Sequence, residues 1–375
     1  MRILHIIPNL RKGGAERIAM DMCAELATRQ GVEVKLVYIN NLAEYDTSEA
    51  KYDLQCMPSS VQLSLTKPAT YNIAALDALI KTWQPDVIHS HLFEAEIVSR
   101  SITYPQAKWF SHCHDNMHQL ETFTLAILGS KKRITEYYER IYLLKRYRAN
   151  GGNKFIAISK DAQQYFERVL PKDLNHVTHI PNAINSKRFT KPDGYIKQAS
   201  NALKLVTVGS LVDKKNQALL IDVVEEMVRR GADVHLHILG DGPNRQKLQG
   251  KVDALKLSNH ITLHGNVAKV EEYLWRSDIY VHGAYYEPFG LVLVEAMAAG
   301  LPVISLDGRG NRDIISNGEN GYILPEQNAK TFADTIEQLA SDKPLYNRIQ
   351  QAGLQTAQQF DIVKYVDSLL ALYRS

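Results

Sequence analysis

The sequence predicts an α/β protein made of two doubly wound parallel-sheet domains facing each other across a cleft. Short apolar runs alternate with segments of helical period along the whole 375 residues, as expected for parallel strands joined by crossover helices. The alternation restarts at Leu203, after a polar stretch over 189–201 that contains Pro192 and Gly194 and reads as a linker. Several runs also end in glycine turns that open helices, at the strand ends where open α/β sheets bind ligands.

In the first half, strands are expected over 3–7, 34–39, 87–91, 109–112 and 155–158. Helices are expected over 15–30, 73–83, 95–101, within 119–149, and over 160–169. The second series places strands at 203–208, 235–239, 261–263, 279–281 and 303–306, again with helices between. This yields domains over 1–195 and 196–355. The last segment, 356–375, ends in a helix with no strand to pair with and is read as crossing back onto the first domain.

With 45% hydrophobic and 23% charged residues the composition is that of an ordinary globular protein. No apolar run is long enough to span a bilayer, and Pro8 and Arg11 interrupt the first one, which reads as a strand and not a signal peptide. Cys23, Cys56 and Cys113 are odd in number and far apart, which points to reduced thiols and a cytoplasmic setting. The net charge of +3 is unevenly placed: 131–154 holds eight cations against Glu136 and Glu139, so the rest of the chain is net acidic. Tyr137, Tyr138, Ile141, Tyr142, Leu143 and Leu144 interleave with those cations. Such a helix suits the surface of an anionic membrane, peripherally on the inner face. Its Tyr and Leu side chains could equally face the core. No recognition motif accompanies the charge, so nucleic acid is not an expected partner.

The most informative stretch is Glu287-Pro-Phe-Gly-Leu-Val-Leu-Val-Glu295. It follows a buried strand and opens a helix at Leu291, whose free N–H groups suit an anion. Glu287 in the loop can reach a sugar, and Glu295, one to two turns inside the helix, can accept from ribose hydroxyls. In the first half, Gly13 and Gly14 allow a tight turn into a helix that carries Arg17 in its first turn. His89, His91, His112, His114 and His118, with Cys113, could suggest zinc. Strand alternation opposes that reading, because it sends Cys113 to the face opposite His112 and His114.

These motifs, together with His114-Asp115, Ile180-Pro-Asn-Ala-Ile184, Val208-Gly-Ser-Leu-Val-Asp-Lys-Lys-Asn216, Gly240-Asp-Gly-Pro243, Gly265-Asn266, Gly300-Leu-Pro-Val303 and Asn320-Gly321, resemble in kind and order the retaining glycosyltransferases of family four. That is the large group 1 family, with two Rossmann-like domains in the GT-B arrangement. The resemblance implies transfer of a sugar from a nucleotide-diphosphate donor to a glycan or lipid-linked glycan acceptor, in cell-surface polysaccharide assembly. It casts His114, Glu287 and Lys215 as the catalytic groups. It assigns the donor to Gly14, Ser210, Lys215, Gly240, Gly242, Asn266, Val267, Glu287, Phe289, Gly290, Leu291 and Glu295, and the acceptor side to Gly13, Arg17 and His91.

One departure stands out. Ser210 occupies the place where the family usually carries an Arg beside the diphosphate. Lys214 or Arg309 could substitute, the donor could differ, or the site could be impaired. No Asp-x-Asp occurs in the chain, so no metal and no cofactor beyond the donor co-substrate are expected. Transfer is then metal-independent, with same-face substitution at the sugar. Two alternatives stay open: a non-catalytic GT-B-like subunit that binds a sugar nucleotide or glycan, and a sugar-nucleotide epimerase or a phosphorylase.

Overall fold

A computed structural model describes residues 1–48, 50–122, 130–197 and 201–375. Residues 1–182 with 362–375 form one compact unit, and 183–361 form a second. The unit boundaries therefore fall at 182/183 and 361/362 instead of 195/196 and 355/356. The polar stretch 189–201, apart from 198–200, which lie outside the described residues, belongs to the second unit. Trp275 ties its start there by donating to the Phe189 carbonyl at 2.7 Å.

In chain order the first unit carries β1 (Arg2–Ile7), α1 (Gly14–Leu26), β2 (Glu33–Tyr38), β3 (Asp53–Cys56), β4 (Ser60–Gln62), β5 (Thr70–Asn72), α2 (Ala74–Trp83), β6 (Val87–His91), α3 (Leu92–Arg100), β7 (Lys108–Cys113), α4 (Lys131–Ala149), β8 (Lys154–Ala157), α5 (Lys160–Val169) and β9 (Val177–His179). Its main sheet runs β3-β2-β1-β6-β7-β8-β9, with all neighbours parallel. Winding reverses between β1 and β6, the switch point where such sheets bind ligands. One face buries Leu4, Ile6, Val37 and Ile88 against Leu76 and Ile80 of α2 and Val98 of α3. Because alternate residues point to opposite faces, the other face receives His5, His89, His91 and His112, all buried.

Arg100 and Glu96 of α3 lie fully inside the first unit, with guanidinium and carboxylate 3.5 Å apart. Burying charges costs less when they are paired and hydrogen-bonded. Here the bonds fall on one guanidinium nitrogen, while Arg100 Nε and Nη1 have no hydrogen-bond partner among the described residues. Arg100 Nη2 donates to Phe110 O and Ser111 Oγ at 3.0 Å and to Asn153 Oδ1 at 2.6 Å. Glu96 accepts from Ser90 Oγ at 2.6 Å and Tyr147 OH at 3.1 Å. This network joins α3, α4, β6 and β7.

The second unit carries α6 (Ser186–Phe189), β10 (Leu203–Val208), α7 (Gln217–Arg229), β11 (Val234–Leu239), α8 (Arg245–Ala254), β12 (Ile261–Gly265), α9 (Val270–Arg276), β13 (Ile279–His282), α10 (Leu291–Ala298), β14 (Val303–Leu306), β15 (Tyr322–Leu324), α11 (Ala329–Ser341) and α12 (Lys343–Ala357). Its parallel sheet runs β12-β11-β10-β13-β14-β15, so winding reverses between β10 and β13. The core packs Leu205, Leu236, Ile279 and Ile304 of the sheet against Leu220 and Val224 of α7 and Phe332 and Ile336 of α11. Asn328 caps α11 by accepting from Thr331 N, and Asp342 caps α12 by accepting from Leu345 N, with Pro344 in the first turn. The last helix, α13 (Ile362–Arg374), packs with α1 in the first unit.

The sequence reading omits β3, β9 and β15, which lie at sheet edges and are only three or four residues long, too short to show a period. It carries α1 to residue 30, but the helix stops at Leu26, where the Thr28 hydroxyl takes the Glu25 carbonyl at 2.7 Å and competes with the helical pattern. Of the helix expected within 119–149, Lys131–Ala149 is observed, and 123–129 lie outside the described residues.

Candidate functional site

The second unit brings its polar residues to the C-terminal edge of its sheet. At the switch point, the turn after β10 and the turn after β13 approach so closely that a Cβ on Gly283 would meet Asn216 O at 2.7 Å. Across this gap Lys215, from the first turn, donates through Nζ to Glu287 Oε2 in the second. His282, the last residue of β13, donates through Nε2 to the same oxygen at 3.0 Å. Burial pushes the Glu287 carboxyl up, but the charge of Lys215 and the hydrogen bond from His282 outweigh it and hold it at about 2. Burial keeps His282 below the ordinary imidazole range. The cluster is therefore an ammonium, a carboxylate and a neutral imidazole at the crevice.

Glu287 is held from behind by the turn after β14: Glu287 N donates to Gly308 O at 2.9 Å and Gly310 N donates to Glu287 O at 3.0 Å. That contact leaves Arg309 exposed at a φ of 76°, a strained setting for a residue with a Cβ. Phe289 is buried against Phe360, with ring centres 5.6 Å apart. Gly290, at a φ of 107°, caps the start of α10 without a side chain over its first N–H groups. Leu291 and Glu295 are half-buried on α10. The two carboxylates of the motif are thus separated in role: Glu287 is enclosed and paired, and Glu295 lies partly open.

Ser210 is exposed at the end of β10, and its carbonyl accepts from Gln217 at 3.1 Å. Lys214 lies 5.4 Å over the Tyr286 ring. Gly240 and Gly242 answer first to a neighbouring loop: a Cβ would meet Gly209 O at 2.1 Å and Leu211 O at 2.6 Å, respectively. They let the turns after β10 and β11 lie backbone to backbone. Asn266 is exposed and Val267 half-buried just beyond β12.

In the first unit, Gly13 precedes α1 and Gly14 is its first residue. Tyr45 OH donates to Gly13 O at 3.1 Å. Arg17 is half-buried and paired along the helix with Asp21 at 2.6 Å. Glu16 is buried beside the turn, and burial raises its carboxyl pKa. His91 ends β6, and His114 follows β7; both are buried. Cys113 packs on the opposite face, with Ile97, Met117 and Leu143, and His118 is exposed beside Glu121. The histidines that do assemble are His5, His89, His91, His112 and His114. Nitrogens of His5, His89 and His91, and of His91, His112 and His114, lie within 4.8 Å of one another. The rings are layered, however: His112 and His114 are 4.1 Å apart at 3°, and His89 and His91 are 4.6 Å apart at 17°. Parallel rings aim their lone pairs side by side, while tetrahedral ligation needs them to converge.

Sequence reasoning missed His5, His282 and Glu16. A polar residue inside an otherwise apolar strand, as His5 is between Leu4 and Ile6, was the available signal. The basic segment is less free than its charge suggests. Arg140 donates to Val169 O at 3.0 Å, Arg146 to Thr103 Oγ1 at 3.1 Å, and Arg148 pairs with Asp173 at 2.6 Å. Leu143 and Tyr147 face the core, whereas Lys131, Lys132, Arg133, Ile141 and Lys145 are exposed. No helix among the described residues is long and apolar enough to cross a membrane.

The family profile described as "Glycosyl transferases group 1" matches residues 196–356, and that described as "Glycosyltransferase Family 4" matches 12–188. The lipopolysaccharide core biosynthesis glycosyltransferase LpsE of Rhizobium meliloti is 31% identical over 177 residues, which are 47% of this chain and 51% of LpsE. The phosphatidyl-myo-inositol mannosyltransferase of Mycobacterium tuberculosis is 29% identical over 230 residues, 59% of each chain. The chain spans about half the length of the curated relatives it matches. Anabaena HepE, solved in complex with UDP, superposes with a TM-score of 0.79 over 99% of both chains at 19% identity, a likeness of fold.

Proposed function

The chain belongs to the glycosyl transferases of group 1, and we propose that it moves a sugar, with retention, from a nucleotide-diphosphate donor to a glycan or lipid-linked glycan. The observation that carries this reading is the Lys215–Glu287–His282 cluster at the switch point of the second unit, beside the N-terminus of α10. A diphosphate brings about two negative charges, which need cations or N–H donors once desolvated. Lys215 supplies the ammonium, the start of α10 supplies backbone donors, and Arg309 supplies the guanidinium that Ser210 lacks. Glu287 releases part of its hold on Lys215 to bind sugar hydroxyls, with His282 keeping it ionised, and Glu295 accepts from the ribose. By the family resemblance, His114 serves the donor sugar, and His91, Gly13 and Arg17 serve the acceptor. The UDP bound to the Anabaena neighbour supports a nucleotide donor.

No metal is needed in this reading, because the leaving charge is met by protein donors. The departing phosphate then takes the acceptor proton on the same face of the sugar. The exposed cations of α4 beside Ile141 support contact with an anionic membrane surface, where a lipid-linked acceptor of a cell-surface polysaccharide pathway would be met in the cytoplasm. The test is incubation with a panel of nucleotide sugars and lipid-linked acceptors, with and without chelator. Released nucleoside diphosphate and a product of unchanged anomeric configuration are expected in both cases. Nucleotide binding without release would favour the non-catalytic subunit, which Ser210 keeps in view. Donor consumption without acceptor would favour the epimerase.

A further inference from the structure

The first unit contains a chain of three buried imidazoles that spans its switch point. His5 of β1 and His91 of β6 face each other with Nδ1 and Nε2 3.0 Å apart. His91 Nδ1 and His114 Nε2 are 2.9 Å apart. His5 Nε2 ends the chain, buried and without a hydrogen-bond partner among the described residues. Each of the two N···N bonds needs one proton, so neutral rings allow only two arrangements. In one, protons sit on Nε2 throughout and His5 buries an N–H with no acceptor. In the other, protons sit on Nδ1 throughout, and the orphan is only a lone pair. Orphaned buried N–H groups are the rarer and costlier case, so the second arrangement is favoured. It leaves the Nδ1–H of His114 as the donor outside the chain.

We propose that His5 and His91 are positioning residues that fix His114 in the Nδ1–H tautomer, so that His114 meets its ligand as a hydrogen-bond donor and not as a base. The neighbouring rings support the neutral state: His89, which meets Tyr373 OH through Nδ1, and His112 are stacked on the chain. The inference deepens the reading in which His114 serves the donor sugar, but its first readout is independent of that reading.

Long-range ¹H–¹⁵N NMR of the ligand-free full-length protein should show His5, His91 and His114 each protonated at Nδ1. In His91→Leu, His114 should become a mixture of tautomers. His5→Leu should produce the same change more weakly, and His5→Asn, whose amide keeps a donor near the Nδ1 position, should restore the wild-type signals. With a working donor, His91→Leu should lower kcat about tenfold, the size of one lost hydrogen bond, with donor KM little changed. A wild-type His114 protonated at Nε2, tautomers indifferent to position 91, or stoichiometric zinc in the purified protein would each overturn the proposal. Absence of sugar transfer with correct tautomers would sink the transferase reading and leave the histidine chain standing.

Discussion

Lys215 and Glu287 meet across the switch point of the second unit, one from the turn after β10 and one from the turn after β13. The same carboxylate oxygen also accepts from His282 at 3.0 Å. The cation expected to hold a diphosphate is thus already partnered in the free protein, and ligand must compete with Glu287 for it. Glu287→Gln should separate the two jobs. Free nucleoside diphosphate should bind about tenfold more tightly as Lys215 is released, while kcat falls because the sugar loses its carboxylate. Titration calorimetry against steady-state rates reads both, and a parallel loss of binding and rate would contradict this arrangement.

Glu295 lies partly open on α10. Glu295→Ala should raise donor KM by about tenfold or more, the loss of a charge-assisted hydrogen bond. Thermal stability should hardly change. An unaltered KM would remove Glu295 from the ribose.

Arg309 holds a φ of 76°, a conformation glycine adopts at little cost. Arg309→Gly should therefore keep or raise the melting temperature while it weakens donor binding. If donor affinity is unchanged, another cation replaces the missing arginine.

The five clustered histidines make the first unit acid-sensitive. Burial chiefly lowers the pKa of His5 and His112 from the usual 6.5 to about 3, and that of His89, His91 and His114 well below the usual value. The unfolded chain thus takes up protons first as pH drops below 6.5, so stability is whole above that pH and declines towards pH 3. Each histidine kept neutral contributes a slope of about 1.4 kcal/mol per pH unit in that window. Urea unfolding at pH 7, 6 and 5 should show a steep loss, lessened in His112→Phe.

Arg100→Met removes one partner of a fully buried ion pair and leaves Glu96 charged and enclosed. The expected cost is about 3–5 kcal/mol. Adding Glu96→Leu should recover a good part of it in a double-mutant cycle. Additive losses would mean that the two groups do not act as a pair.

The repeated strand–helix order, the glycine turns at strand ends and the spacing of Glu287 and Glu295 are legible in the amino-acid order, because these are local: period, turn chemistry and helix opening are written within a dozen residues. The amino-acid order also separated Cys113 from His112 and His114 through strand alternation. Which residues meet is set by the folded arrangement. Whether Lys215 reaches Glu287, and whether His5 reaches His91, depends on the strand order that sets β10 beside β13 and β1 beside β6. Arg17 illustrates the same limit from the other side. Its position in the first turn of α1 was legible, but its pairing with Asp21 was not, because several rotamers of a long side chain suit one helix position and packing selects among them.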